Sequence, residues 1–236
     1  HAAHRARFGH ADPSAPIDPK IQQIAPYLSK LTPSDPNAPA MIRLAEALEK
    51  AHPNDPKTYS VSGGVFYQLD RPNEALEKYR HCLRLNPNVF GAWENTMTIL
   101  DEQKNYDELL KTAEQAMDAF PNQPKGYLFY GVAATEKGRY DDAVSQLEQA
   151  LIMAGNSPLR LDILDQLGVV LTRKKDYPGA AKRFEQALAK GGEQHAGVLE
   201  HYGDLLSLQN DKKGAQSYWQ KAYDLSKNPA LLEKLK

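Results

Sequence analysis

Small residues return along this chain at a spacing that leaves few folds open. Ala75 and Cys82, Ala143 and Ala150, Ala180 and Ala187, and Ala215 and Ala222 are pairs seven residues apart, each following a short polar turn, and Leu109 with Ala116 supplies a fifth pair. From one pair to the next the steps are 34, 34, 37 and 35 residues. Apolar residues around each pair recur at helical spacing. A period near 34 holds two helices per unit, and each helix pair bares an apolar face that only a stacked neighbour covers.

Other places in the unit repeat with it. Units start near Pro56, Phe90, Pro124, Leu161 and Ala196. The fourth place holds Tyr59, Trp93, Tyr127, Leu164 and Leu199, and the eighth holds Gly63, Met97, Gly131, Gly168 and Gly203. Further on come Tyr79, Ala113, Leu147, Phe184 and Trp219, and near the end Pro87 and Pro121, then Gly155, Gly192 and Lys227. A glycine inside a helix costs about 1 kcal/mol, yet it lets the second helix of the pair approach closely. A terminal proline ends one helix because it cannot continue the hydrogen-bond ladder. In length and in these residues the chain resembles the tetratricopeptide repeat family over 56–227. The resemblance implies an all-α fold, a right-handed α-solenoid of helical hairpins, with full repeats at 56–89, 90–123, 124–157, 161–195 and 196–227.

The ends depart from the pattern. Asp18-Pro19 and Asp35-Pro36 each read as an N-cap followed by a helix-opening proline. They predict helices over 21–31 and 37–51, a degenerate capping hairpin within 18–55. Asn228-Pro229 predicts a short capping helix in 228–236 with Leu231, Leu232 and Leu235. Residues 1–17 lack apolar periodicity and read as a flexible tail. No initiating Met or signal peptide opens the chain, so it reads as a processed or truncated form.

Chemistry is sparse. The net charge is −1 and no apolar run approaches the roughly 20 residues of a membrane span, so neither nucleic acid nor membrane insertion is indicated. His1, His4 and His10 sit in the tail without a framework to hold a metal. No HExxH, CxxC or phosphate-cradling loop appears. Cys82 reads as a buried, inert thiol, and Asp141-Asp142 and Asp107-Glu108 as helix-start carboxylates. The expectation is therefore no enzyme, no cofactor and no metal.

The resemblance also implies where a ligand sits. In the family the first helices of successive hairpins line a concave groove. Carried over, its wall includes Lys57, Ser60 and Tyr67, then Glu94, Asn95, Thr98 and Asp101, then Lys125, Leu128, Phe129, Val132 and Glu136. It continues with Asp162, Asp165, Val169 and Arg173, and ends with Glu200 and Asp204. Some members clamp the C-terminal carboxylate of chaperones. Here only Asn95 and Lys125 fit that clamp, while Ser60, Gly64 and Phe129 stand where it needs Lys, Asn and Arg, which argues against a chaperone-tail receptor. The wall is acidic, since Glu102 joins Glu94, Asp101, Glu136, Asp162, Asp165, Glu200 and Asp204 against Lys57, Lys125 and Arg173. An acidic groove with Leu128, Phe129, Val132 and Val169 near its middle is expected to take a basic, partly apolar peptide or helix of another protein. The alternatives are a self-assembly module of a larger cell-envelope complex and an accessory domain of a larger protein. The stretch 120–151 looks like bacterial envelope-associated members of the family, which leaves cytoplasm and periplasm both open.

Overall fold

The computed structural model describes residues 17–236, apart from the side chain of Gln23. The tail expectation for 1–16, with His1, His4 and His10, lies outside the described residues. Among those described there are thirteen α-helices, one short 3-10 turn and no strand. The described residues divide into two compact units, one ending at Gln103 and the other beginning at Lys104.

The first unit holds α1 (Ile17–Leu28), α2 (Ala38–Ala51), α3 (Pro56–Gln68), α4 (Pro72–Leu85) and α5 (Phe90–Glu102). Helix α1 starts at Ile17, earlier than the Asp18-Pro19 signal predicts. Ile17 is buried with Ile24 in the local core, and seven residues is close to two helical turns, so this apolar pair draws the helix start back. Pro26, inside α1, lacks an N–H for the ladder, and the helix ends two residues later rather than at Leu31. Asp35 does not cap α2 directly. Its Oδ1 accepts from the backbone N–H of Asn37 at 2.8 Å, and Asn37 precedes the helix. Asp55 caps α3 by accepting from the Lys57 N–H.

The second unit holds α6 (Tyr106–Ala119), α7 (Pro124–Glu136), α8 (Tyr140–Ala154), α9 (Leu159–Arg173), α10 (Tyr177–Leu188), α11 (Ala196–Leu208), α12 (Lys212–Ser226) and α13 (Ala230–Lys234). Helices α7 and α8, α9 and α10, and α11 and α12 form antiparallel pairs, while α7 packs on α9 and α9 on α11. The ten residues that set the repeat period are 0–1% exposed, so the pairs seven apart are the core of the hairpins. Cys82 is one of them, and burial pushes its thiol pKa up to about 11, far from a reactive thiolate.

Size matching fixes how closely each pair packs. A Cβ added to Gly63 would lie 2.7 Å from the Tyr79 ring, one on Gly131 2.4 Å from Leu147, one on Gly168 2.5 Å from Phe184, and one on Gly203 2.6 Å from Trp219. Each glycine thus receives the large side chain of the following helix. Met97 and Ala113 stand at the corresponding places of the sequence repeat 90–123, and both are fully buried.

Five of the turns between successive helices close on a left-handed residue. Asp70, Lys104, Gly138, Lys175 and Asn210 all have φ between 54° and 74°. After four of them the chain folds back with a bond to the carbonyl five residues earlier: Arg71 to Phe66, Arg139 to Ala134, Asp176 to Leu171 and Asp211 to Leu206, all 2.8–2.9 Å. This is the hydrogen-bond pattern that satisfies the free carbonyls of a helix C-terminus.

Candidate partner-binding wall

Because α7, α9 and α11 pack side by side, the faces they share form one wall in the second unit. Lys125, Phe129, Val132 and Glu136 lie on α7, Asp162, Asp165, Val169 and Arg173 on α9, and Glu200 and Asp204 on α11. Leu128 and Asp165 are buried at 8% and 7% exposure, so they offer no surface to a partner. Phe129 and Val132 are half-buried, and Val169 packs partly against the Ala180–Phe184–Leu205 cluster.

Carboxylates of this wall are bound to basic side chains one helix pair further along. Arg173 donates to Glu136 at 2.6 Å. His201 Nδ1 lies 2.9 and 3.0 Å from the two oxygens of Asp165. Burial disfavours the charged imidazole, yet the hydrogen bond to Asp165 and the charges of Asp165, Asp204 and Glu200 outweigh it and raise the His201 pKa. Lys234 of α13 donates to Glu200 at 2.8 Å and to both oxygens of Asp204 at 2.7 and 2.8 Å. Trp219 Nε1 adds a 2.9 Å bond to Asp204, a reach made possible because Gly203 admits the indole against α11.

Asp162 stands apart. Its carboxyl pKa is raised, chiefly by burial and further by Asp165, while His195 and Lys125 pull it back. It borders a cleft of about 540 Å³ at the N-terminal ends of these helices, where Lys125, Leu159, Leu161, Lys190 and His195 also contribute. The cleft offers one anionic group, several cationic ones and an apolar floor.

In the first unit, Lys57 pairs with Asp18 at 2.5 Å, and the Tyr67 hydroxyl donates to Glu102 at 2.6 Å. That bond, with burial and the charge of Glu102, pushes the Tyr67 pKa up to about 12. Thr98 donates to its own helix at the Glu94 carbonyl, and Ser60, Asn95 and Asp101 are half-buried.

Three residues of the wall were missed in the sequence: His201, Trp219 and Lys234. For His201 and Lys234 the available signal was a basic residue placed about one repeat length after a wall carboxylate, whereas Trp219 follows Asp204 by 15 residues. Among the described residues no group of three or more His, Cys, Asp or Glu could hold a metal ion, and no helix is long and apolar enough to cross a membrane.

Residues 123–191 match the sequence profile of the tetratricopeptide repeat family. The chain is 25% identical over 114 residues to the Small glutamine-rich tetratricopeptide repeat-containing protein 2 of Saccharomyces cerevisiae, covering 48% of this chain and 30% of that protein. It therefore spans about a third of the length of that curated relative. Among solved structures, Pseudomonas aeruginosa pilF aligns over 92% of this chain and 95% of its own, with TM-score 0.69 and 20% identity. YrrB, described as a TPR protein with an unusual peptide-binding site, aligns over 79% of this chain and 96% of its own, with TM-score 0.56 and 19% identity.

Proposed function

This chain is a tetratricopeptide repeat protein, and from that premise we propose that it is a protein-interaction scaffold whose first-helix wall holds a segment of another protein. The observation that carries the reading is the continuous wall of α7, α9 and α11, with half-buried Phe129 and Val132 on the helix whose Lys125 lines the cleft at Asp162. A half-buried apolar strip suits an extended or helical segment that carries apolar residues, and Asp162 is the one anionic group of its cleft that a Lys or Arg of that segment would meet. YrrB supports the choice of ligand class, as a relative in fold with a peptide-binding site. A chaperone tail is not the proposed ligand, because Ser60, Gly64 and Phe129 stand where its carboxylate would need Lys, Asn and Arg. No catalytic role is proposed.

The test is titration of a basic-apolar peptide library against the wild type and Asp162→Lys. This variant spares Asp165, whose removal would strand His201. A loss of tenfold or more in affinity for the best peptides is expected. Equal binding by both proteins would sink the wall assignment.

Self-assembly is the second reading, favoured by Leu225 and Leu232, which are 46% and 41% exposed near the C-terminal end. Leu231, by contrast, is buried and gives nothing to such a contact. Light scattering that shows a monomer at high concentration counts against it.

A further inference from the structure

Helix α13 has five residues, too few to be stable by itself in water. Two contacts seat it. Leu231 is 1% exposed in a cluster with Leu199 and Ala222, and Lys234, three residues on, places its ammonium between Glu200 and Asp204. The same ammonium lies 5.8 Å from the centroid of the Trp219 ring, within cation–π range. The other basic partners of wall carboxylates in this unit, Arg173 and His201, come from helices of 15 and 13 residues with buried apolar faces. Lys234 alone comes from a short segment in which Asn228, Pro229, Ala230, Leu232 and Glu233 are all exposed.

One ammonium faces two carboxylates there, so the local charge is not cancelled. Glu200, Asp204 and Leu208 follow one another at four-residue steps and share a face of α11. Leu208 is 55% exposed, so apolar surface continues past the carboxylates that Lys234 engages.

We propose that Glu200, Asp204, Leu199 and Trp219 form a docking site for a helical turn of a partner protein that carries an apolar residue followed three positions later by Lys or Arg, and that α13 is its resident occupant. The inference rests on the reading that this wall takes partner segments, and it names both the chemistry of the segment and the element it must displace. A guanidinium is favoured over an ammonium, because it can bond both carboxylates at once in a fixed fork. A partner helix longer than α13 also covers Leu208. The tether keeps α13 at high effective concentration, so a competing peptide is held off until it makes these extra contacts.

The experiment uses the full chain and a fluorescent peptide of its own last nine residues, NPALLEKLK, together with a version in which the first lysine is arginine. Leu231→Asp/Lys234→Glu vacates the site. It is expected to bind both peptides at least tenfold more tightly than the wild type, and the arginine version more tightly than the lysine one. Adding Glu200→Gln/Asp204→Asn to the vacated protein is expected to abolish binding. Should the vacating variant lose helicity beyond α13, Lys234→Gln keeps Leu231 seated and is expected to gain threefold or more for the arginine peptide. Equal binding by wild type and vacated protein, or binding unchanged by Glu200→Gln/Asp204→Asn, overturns the proposal. Peptide binding that survives those changes but is lost on Asp162→Lys leaves the wall reading standing and removes only this site.

Discussion

In the unit that ends at Gln103, Tyr67 donates a neutral phenolic hydrogen bond to Glu102. In the unit that begins at Lys104, Glu136, Asp165, Glu200 and Asp204 are instead held by Arg173, His201 and Lys234. A phenol satisfies the lone pairs of a carboxylate and leaves its charge in place, whereas Arg173 offsets much of the field of Glu136, and Lys234 offsets part of the field of the two carboxylates that share it. Glu102 and the carboxylates held by Arg173 and Lys234 therefore present different potentials. Counting acidic residues along a helix face overstates the attraction for a basic ligand wherever a cation sits one helix pair away.

The sharpest way to break this contrast is Asp165→Ala. Asp165 is buried and its loss strands a His201 side chain that is 35% exposed, so a loss of about 2 kcal/mol is expected in urea unfolding, below the full cost of breaking a buried pair. Glu102→Ala, at an exposed site in the other unit, is expected to cost under about 0.5 kcal/mol. If both cost the same, the contrast fails.

The pH dependence comes next. The folded pKa of His201 is raised above its ordinary 6.5. Its stabilising contribution is fully present below pH 6.5 and is lost as pH rises through the raised folded value. The stability gap between wild type and His201→Gln should be widest near pH 6 and narrow toward pH 8. A gap that widens with pH would reverse the assignment.

What the two units share can be tested by their turns. Asp70 and Lys175 occupy left-handed backbone, with φ of 56° and 66°, where a Cβ costs about 1 kcal/mol. Replacement of either by Gly should stabilise by roughly 0.5 kcal/mol once the freer unfolded chain is allowed for, and thermal melts should show the same shift for both. A smaller effect is expected at Arg173 and Glu136, which are 40% and 29% exposed. A double-mutant cycle should return about 0.3 kcal/mol of coupling that shrinks in high salt. The smallest consequence is spectroscopic. Glu102→Gln removes the charge that resists ionisation of Tyr67, so the difference titration should show one tyrosine moving down from about 12 with little change in stability.

The hairpin interior was legible because it is written in side-chain size. Gly168 and Phe184 are sixteen residues apart, a local relation that any unit displays, and their contact follows from it. The left-handed turns were not legible in the same way. Asp70, Lys104, Gly138, Lys175 and Asn210 share a backbone conformation but not a residue type, since closing the hairpin outweighs the modest strain of a Cβ. The start of α1 was misplaced because a local capping signal at Asp18-Pro19 lost to burial of Ile17. At the wall, the carboxylates could be listed from the sequence, but their partners could not, because Lys234 stood out only as one of many surface lysines.

By itself the sequence determined an all-α repeat and the close fit of glycine against a large neighbour, since both follow from periodicity and volume within some forty residues of chain. Only the tertiary structure decided the charge of the wall. Coulomb interactions depend on the final separation of groups about 35 residues apart, and that separation exists only once one hairpin has stacked on the next.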